Sequence, residues 1–284
     1  MSSIESEERA AADSSAAAIH RRYRRDAAFR APEWNATLDL LLGHRSIRAF
    51  RDRALPAGTL ELLIAAAQSA PTSSNLQSWS VVVVSDPQAR ASIAEWSGNQ
   101  KHVVEAPLFL VFLADLARAE RVAAAAGGEA TTLDLIEPVV VGIVDAALAA
   151  QNAVVAAESI GLGTVYIGAL RNRIEDVAAL LGLPPRVVPV FGLAVGHPDP
   201  SVASGVKPRL SQRVVLHHDH YAPPADEAAL VADYDAALKA FQVEQNLPPV
   251  DWSYLSSKRV TDLASLAGRQ RLRAALEKLG LPLR

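Results

Sequence analysis

Short continuous apolar runs alternate along this chain with longer stretches in which apolar side chains recur every three or four residues. The runs "WSVVVVSD", "APLFLVFLAD", "GLGTVYIGAL" and "VVPVFGLAVGHP" are rich in β-branched or aromatic residues and bounded by Gly, Pro or Asp, so they predict four strands, the first a buried one. The periodic stretches predict helices. They are "TLDLLLGHRS" closed by Gly43, "LPAGTLELLIAAAQSA" after Pro56, "DPQARASIAEWSG" with Asp86 as N-cap, a long helix over 138–159, and "RIEDVAALLGL" ending at Gly182. From about residue 224 onward the pattern stays helical and becomes far more polar. Helix outweighs strand and the elements form no even βαβ series, which predicts one α+β domain of buried strands covered by helices. Along the chain this gives an N-terminal extension over 1–35, a core over 36–224 and a helical C-terminal segment over 225–284. The pattern leaves strand direction open.

One apolar stretch, 139–157, has the length of a membrane span, but Asp145, Gln151 and Asn152 interrupt it. A span takes about 20 mainly apolar residues, and a charge at its centre costs roughly 2.5–3.5 kcal/mol, so the stretch predicts a buried helix. The N-terminus carries Glu5, Glu7, Glu8 and Asp13 where a secretory signal would be basic and then apolar. The cluster "HRRYRRDAAFR" near the end of the extension predicts a solvated helical face.

Composition narrows the function. Half of the 284 residues are hydrophobic, enough for a sizeable core, and 28 basic against 31 acidic side chains give a net charge of −3. Neither nucleic acid nor an anionic membrane is expected as a partner. The chain has no cysteine, which excludes disulfides, thiolate metal sites and cysteine nucleophiles and favours a cytoplasmic location.

No G-x-S-x-G elbow, Walker loop or H-E-x-x-H motif is present, and "GLGTVYIG" follows a helix rather than a strand, so it lacks the context of a dinucleotide fingerprint. "HHDH" at 217–220 reads as a solvated turn, and no metal site is expected there. The basic residues are more informative. Arg45 and Arg48 follow a helix end in "HRSIRAF", and Lys207 and Arg209 bracket Pro208 in "VKPRLS". "PTSSN" at 71–75 adds hydroxyls, an amide and turn backbone. These residue types suit a phosphorylated, polyhydroxylated ligand. Taken singly, each segment also suits an ordinary exposed loop.

The motifs "HRSIRAF", "APTSSNLQSWSVVVV", "NQKHV", "AAQNAVVAAESIGLGTVYIGALRN" and "VGHP…KPRLSQRVV" follow one another in the order and spacing of the flavin-dependent nitroreductase family. The resemblance is closest to its oxygen-insensitive NADPH nitroreductase and flavin reductase branch. It spans roughly 36–224, with a looser match in the tail. It implies a central, mainly antiparallel sheet flanked by helices, in an intertwined homodimer that binds FMN at the subunit interface. The flavin-holding residues it implies are His44, Arg45, Ser46, Arg48, Thr72, Ser73, Ser74, Gln100, Tyr166, Ile167, Gly168 and Ala169, with Lys207 and Arg209 as the phosphate clamp. Arg48 would place a positive charge at the flavin N1/O2 edge, and an N–H of Gly168 or Ala169 would meet N5.

The implied activity is ping-pong electron transfer from NADPH to a small acceptor such as a nitroaromatic, a quinone or a flavin. No side-chain acid or base is required, since solvent supplies the protons. Lys258 and Arg259 in "DWSYLSSKRV" are the candidate contacts for the NADPH 2′-phosphate; otherwise they are a solvated first turn of the last helix. Relatives often have a second Gly where Ala169 stands, and Asn75 and the N-terminal extension also depart from the branch. A flavin-binding reservoir or sensor without turnover is the alternative reading. Trp79, Tyr166 and Phe191 suit a stacking surface for an aromatic substrate or an ordinary core.

Overall fold

The computed structural model describes residues 14–24, 29 and 31–284. Its helices are α1 (residues 14–23), α2 (Ala36–Gly43), α3 (Thr59–Gln68), α4 (Pro87–Trp96), α5 (His102–Glu105), α6 (Ala117–Ala125), α7 (Ile136–Ser159), α8 (Ile174–Leu180), α9 (Gln212–Val215), α10 (Glu227–Glu244), α11 (Trp252–Thr261) and α12 (Leu272–Lys278). The chain divides into two compact units. One comprises Ser46–Asp199 with Leu266–Arg284, and the other the described residues up to Arg45 with Pro200–Ser265.

The first unit holds the sheet. Strands β1 (Trp79–Val83), β2 (Leu108–Asp115), β3 (Gly163–Ile167) and β4 (Val187–Gly196) lie in the order β1-β2-β4-β3, and every pairing is antiparallel. All of β2 is buried because it is central and covered on both faces. Its alternate residues Leu108, Leu110, Phe112 and Ala114 join a cluster with α3 and α7, while Phe109, Val111 and Leu113 join one with α4, α5 and α8. Asp86 caps α4 as the sequence predicts, accepting from Ala89 N at 2.7 Å.

Helix α7 is long and apolar enough to cross a bilayer, yet it packs on the sheet and α3. Ala146, Ala149, Ala150, Ala153 and Ala157 are fully buried, and these small residues let its backbone approach closely. A Cβ built on Gly142 would stand 3.1 Å from Ala114 Cβ. The polar residues that interrupt the apolar stretch are bonded: Asn152 Nδ2 donates to Ala66 O at 3.2 Å, and Gln151 Oε1 accepts from Tyr166 Oη at 3.3 Å. Trp79, Phe112, Phe191 and Tyr166 form a row of ring contacts across the four strands, at centroid separations of 6.0, 5.9 and 5.0 Å. Trp79, Tyr166 and Phe191 are therefore packing residues.

Three local expectations need correction. The run "WSVVVVSD" holds an edge strand, and only Trp79 and Val84 in it are buried; four consecutive valines read as two-sided burial, but the strand ends the sheet and its middle residues are only partly covered. Gly43 does not close α2 through a left-handed turn, because the chain leaves the helix at His44 with φ −51° and ψ 134°. The long helix begins at Ile136 rather than 138, which puts Pro138 in its first turn, where its missing N–H has no intrahelical acceptor to lose.

The other unit is helical. Along α10, Leu230, Tyr234, Leu238 and Phe241 are buried at the spacing of one helix face. Asp235 accepts from Ser253 N at 2.9 Å, and Lys239 pairs with Asp251 at 2.8 Å, fastening α11 to α10. Arg24, just past the end of α1, ties that helix to α10 through paired bonds to Glu244, both 2.8 Å. The basic cluster is thus not a solvated face throughout, since Arg22 is buried; its residues 25–28 and 30 lie outside the described residues.

Candidate active site

In the sheet unit, the "SIRAF" half of the basic motif is an extended segment laid along β3. Ser46 forms an isolated parallel bridge with Thr164, and Ile47 N donates to Thr164 O at 2.9 Å. Ile47 is buried directly over Gly163, where a Cβ would stand 2.5 Å from Ile47 Cγ1. Neighbours in an extended chain alternate in direction, so burying Ile47 turns Ser46 and Arg48 to the opposite side. The far end is held by Arg51 N to His197 O at 2.9 Å and Asp199 N to Ala49 O at 3.0 Å.

Strand β3 ends with Tyr166 and Ile167 and runs into a 3-10 turn over Gly168–Arg173. Arg171 donates to Val190 O, the carbonyl of the residue skipped where β2 and β4 shift register. Burial lowers the pKa of that guanidinium, and a Cβ on Gly168 would stand 3.4 Å from its Nη2. Burial pushes the Tyr166 phenol well above its ordinary range, with Glu158 adding to the shift. Gln100 is fixed by its side chain, whose Nε2 donates to Ser97 O at 2.9 Å. Next along the chain, His102 is buried with no partner at Nε2. Burial, and then the charge of Arg48, lower its pKa, so the imidazole is neutral at pH 7.

The serine-rich turn is strained and pinned. Ser74, Asn75 and Gln77 are left-handed, at φ 49°, 54° and 51°. Asp145 of α7 accepts from Ser73 N at 3.2 Å through one oxygen and from Ser78 N at 3.0 Å through the other. Arg118 holds the exit by donating to Gln77 O at 2.9 Å and Trp79 O at 3.1 Å. Thr72 and Ser73, with Val140, Val144, Asp145 and Leu148, line a groove of about 320 Å³.

In the helical unit, His44 and Arg45 leave α2, and Lys207 and Arg209 flank the buried Pro208. Arg209 Nη1 donates to Lys207 O and Pro208 O, both at 3.2 Å, and Tyr234 Oη donates to Pro208 O at 3.1 Å. Lys258 and Arg259 occupy the last turn of α11, not the first turn of the final helix. Both are exposed, and Arg259 donates to Ser265 O.

The donor chemistry fits a phosphorylated flavin. Arg45 and Arg48 are exposed, and neither has an acidic ion-pair partner among the described residues. Their charge is therefore available to an anion, and Ser46, Gln100 and the 72–74 turn add neutral polar groups. The sequence pattern pointed to these residues but missed Asp145 and Arg22. Asp145 did carry a signal, as a charge inside an apolar helical run.

The family model described as "Nitroreductase family" matches residues 41–197, and its C-terminal domain model matches 207–284. The chain belongs to the nitroreductase family. It is 43% identical over 194 residues to the FMN reductase (NADPH) of Bacillus subtilis, covering 68% of this chain and 77% of that protein. To the oxygen-insensitive NADPH nitroreductase of Salmonella typhimurium it is 43% identical over 205 residues, covering 72% and 82%. The solved NfrA1 nitroreductase from B. subtilis superposes with a TM-score of 0.80 at 36% identity, over 87% of this chain and 100% of that one. This family member thus has the antiparallel sheet flanked by helices that its motif order implied.

Proposed function

We propose that this nitroreductase family member is an FMN-dependent NADPH oxidoreductase that passes electrons to a small acceptor such as a nitroaromatic, a quinone or a flavin. The observation that carries the reading is the seating of Ile47 on Gly163, which turns Ser46 and Arg48, without an ion pair among the described residues, outward beside the strand leading to Gly168. When bound, FMN supplies the two-electron hydride chemistry. The chain's own residues bind and orient. Arg45, Lys207 and Arg209, with His44, serve the phosphate; Ser46, Thr72, Ser73, Ser74 and Gln100 serve the polar edges. Arg48 would supply positive charge at the N1/O2 edge, a backbone N–H of Gly168 or Ala169 would meet N5, and Tyr166 and Ile167 would help hold the flavin. The test is flavin released on denaturation, near one per chain, followed by anaerobic NADPH titration. Protein that neither releases flavin nor binds added FMN at micromolar levels sinks the proposal; bound FMN that NADPH leaves unbleached favours the reservoir reading.

Substituting Lys207 and Arg209 together by alanine should weaken FMN roughly a hundredfold, because each charge-assisted bond is worth about 1.5–3 kcal/mol. Riboflavin, which lacks the phosphate, should bind nearly as before. Equal losses for both flavins would place these residues elsewhere.

The proposed assembly is a homodimer in the cytoplasm, a location supported by the lack of cysteine. On α7, Val140, Ile143, Val144 and Leu148 are 47, 39, 48 and 39% exposed, a contiguous apolar face beside the Thr72–Ser73 groove. Light scattering should return twice the 30.2 kDa chain mass. A monomer that still binds FMN tightly would refute this assembly.

NADPH is the proposed reductant in preference to NADH, with Lys258 and Arg259 as contacts for its 2′-phosphate. Both are exposed in a final helical turn, and Lys258 makes no side-chain bond among the described residues. Changing both to alanine should lower kcat/KM for NADPH about tenfold, the equivalent of roughly 1.4 kcal/mol, and leave NADH turnover unchanged. A parallel fall with both nucleotides would make their role structural.

A further inference from the structure

We infer that α1 is a built-in brace for the phosphate-binding segments, with Arg22 as the positioning residue. Arg22 is only 7% exposed. Its Nε and Nη2 donate to Leu42 O at 3.1 and 2.6 Å, Nη2 also donates to His44 O at 2.8 Å, and Nη1 donates to Lys207 O at 2.9 Å. Its own carbonyl accepts from Arg209 N at 3.0 Å. One residue therefore joins the end of α2, immediately before Arg45, to the backbone on both sides of Pro208.

The chemistry of the brace suits its place. The last carbonyls of α2 have no intrahelical partners, and a guanidinium there meets both their hydrogen-bonding need and the negative end of the helix dipole. The planar fork of arginine can reach several carbonyls at once, which a lysine's point charge does in fewer directions. Arg45, Lys207 and Arg209 carry like charges that repel when brought together. A carboxylate brace would hold them by neutralising them. Arg22 grips main-chain oxygens instead, so the brace itself neutralises none of these cationic side chains.

The brace is itself anchored. Arg24 forms paired bonds to Glu244 at 2.8 Å each, and Gln212 Nε2 donates to Tyr23 Oη at 3.3 Å. Helix α1 lies before residue 41, where the family match begins. The inference rests on the FMN reading above, and it assigns the basic cluster of the extension to shaping the cofactor's phosphate contacts.

The test uses the deflavinated full-length protein and its Arg22→Ala, Arg22→Lys and Arg24→Ala variants, with dissociation constants for FMN and riboflavin measured by fluorescence titration. Arg22→Ala should weaken FMN at least tenfold and riboflavin less than twofold. Arg22→Lys should recover part of the loss, and Arg24→Ala, which only trims the anchor, should shift FMN less than threefold. Unchanged FMN affinity in folded Arg22→Ala, or equal loss for both flavins, overturns the brace. If Arg22→Ala does not fold, Arg22→Lys must show the same selective loss; failure of both to fold makes Arg22 a fold residue only and overturns the inference. A wild-type chain that binds no FMN removes the cofactor reading and the brace together, whereas wild-type binding with indifferent variants removes the brace alone.

Discussion

Replacing Asp145 with alanine should lower the melting temperature by roughly 5–10 °C, the equivalent of about 2–4 kcal/mol. The carboxylate is 1% exposed and its two oxygens accept from Ser73 N and Ser78 N, at opposite ends of the serine-rich turn. The turn between those amides contains three left-handed residues that are not glycine. Such backbone costs on the order of 1–3 kcal/mol per residue and persists only where its surroundings over-determine it. Removing the carboxylate leaves the buried Ser78 N–H without its acceptor and lets the turn relax. Flavin affinity should fall with stability, because Thr72, Ser73 and Ser74 are carried on that turn. Asp145→Asn keeps one acceptor but sets an amide N–H against a backbone N–H, so it should melt between the wild type and Asp145→Ala. An alanine variant melting within a degree or two of wild type would show that the turn holds its shape without this anchor.

Asp145 also marks what the linear sequence discloses. Its charge was plain within the apolar run 139–157 and was reason enough to reject a membrane span, but its partners lie 72 and 67 residues away. Arg22 is the same case: its acceptors are the carbonyls of Leu42, His44 and Lys207, up to 185 residues distant, and main-chain oxygens leave no mark in a residue pattern. The basic cluster around it consequently has the pattern of a solvated face. Local pattern did yield the strands, because burial writes apolar runs directly into the chain. It misjudged β1, since the run "VVVV" records a preference for extended backbone without recording that the strand ends the sheet. Strand direction depends on which run meets which, and only the resemblance in motif order supplied it. The motif "HRSIRAF" was readable as a binding segment by its charges. The reason for its isoleucine became visible only with Gly163 beneath it.

That contact supports the other large expected effect. Gly163→Val should cost about 3 kcal/mol, at the upper end for overpacking, and should also weaken FMN at least tenfold. A Cβ at position 163 would lie 2.5, 2.7 and 2.9 Å from three carbon atoms of Ile47. The Ile47 side chain is β-branched and buried, so it cannot swing clear by a simple rotamer change. The strain would pass to the backbone and loosen the Ile47 N to Thr164 O bond and the bridge at Ser46. Ser46 and Arg48 would then lose the register that turns them away from the core. Pairing the change with Ile47→Ala, which removes two of the three clashing carbons, Cγ1 and Cγ2, and leaves only Cβ, should restore part of the flavin affinity even though that substitution by itself opens a cavity. Such a rescue is the expected signature of a contact that positions its neighbours. If Gly163→Val melts like wild type and binds FMN equally well, the segment accommodates the valine, and the seating of Ile47 does not orient Ser46 and Arg48.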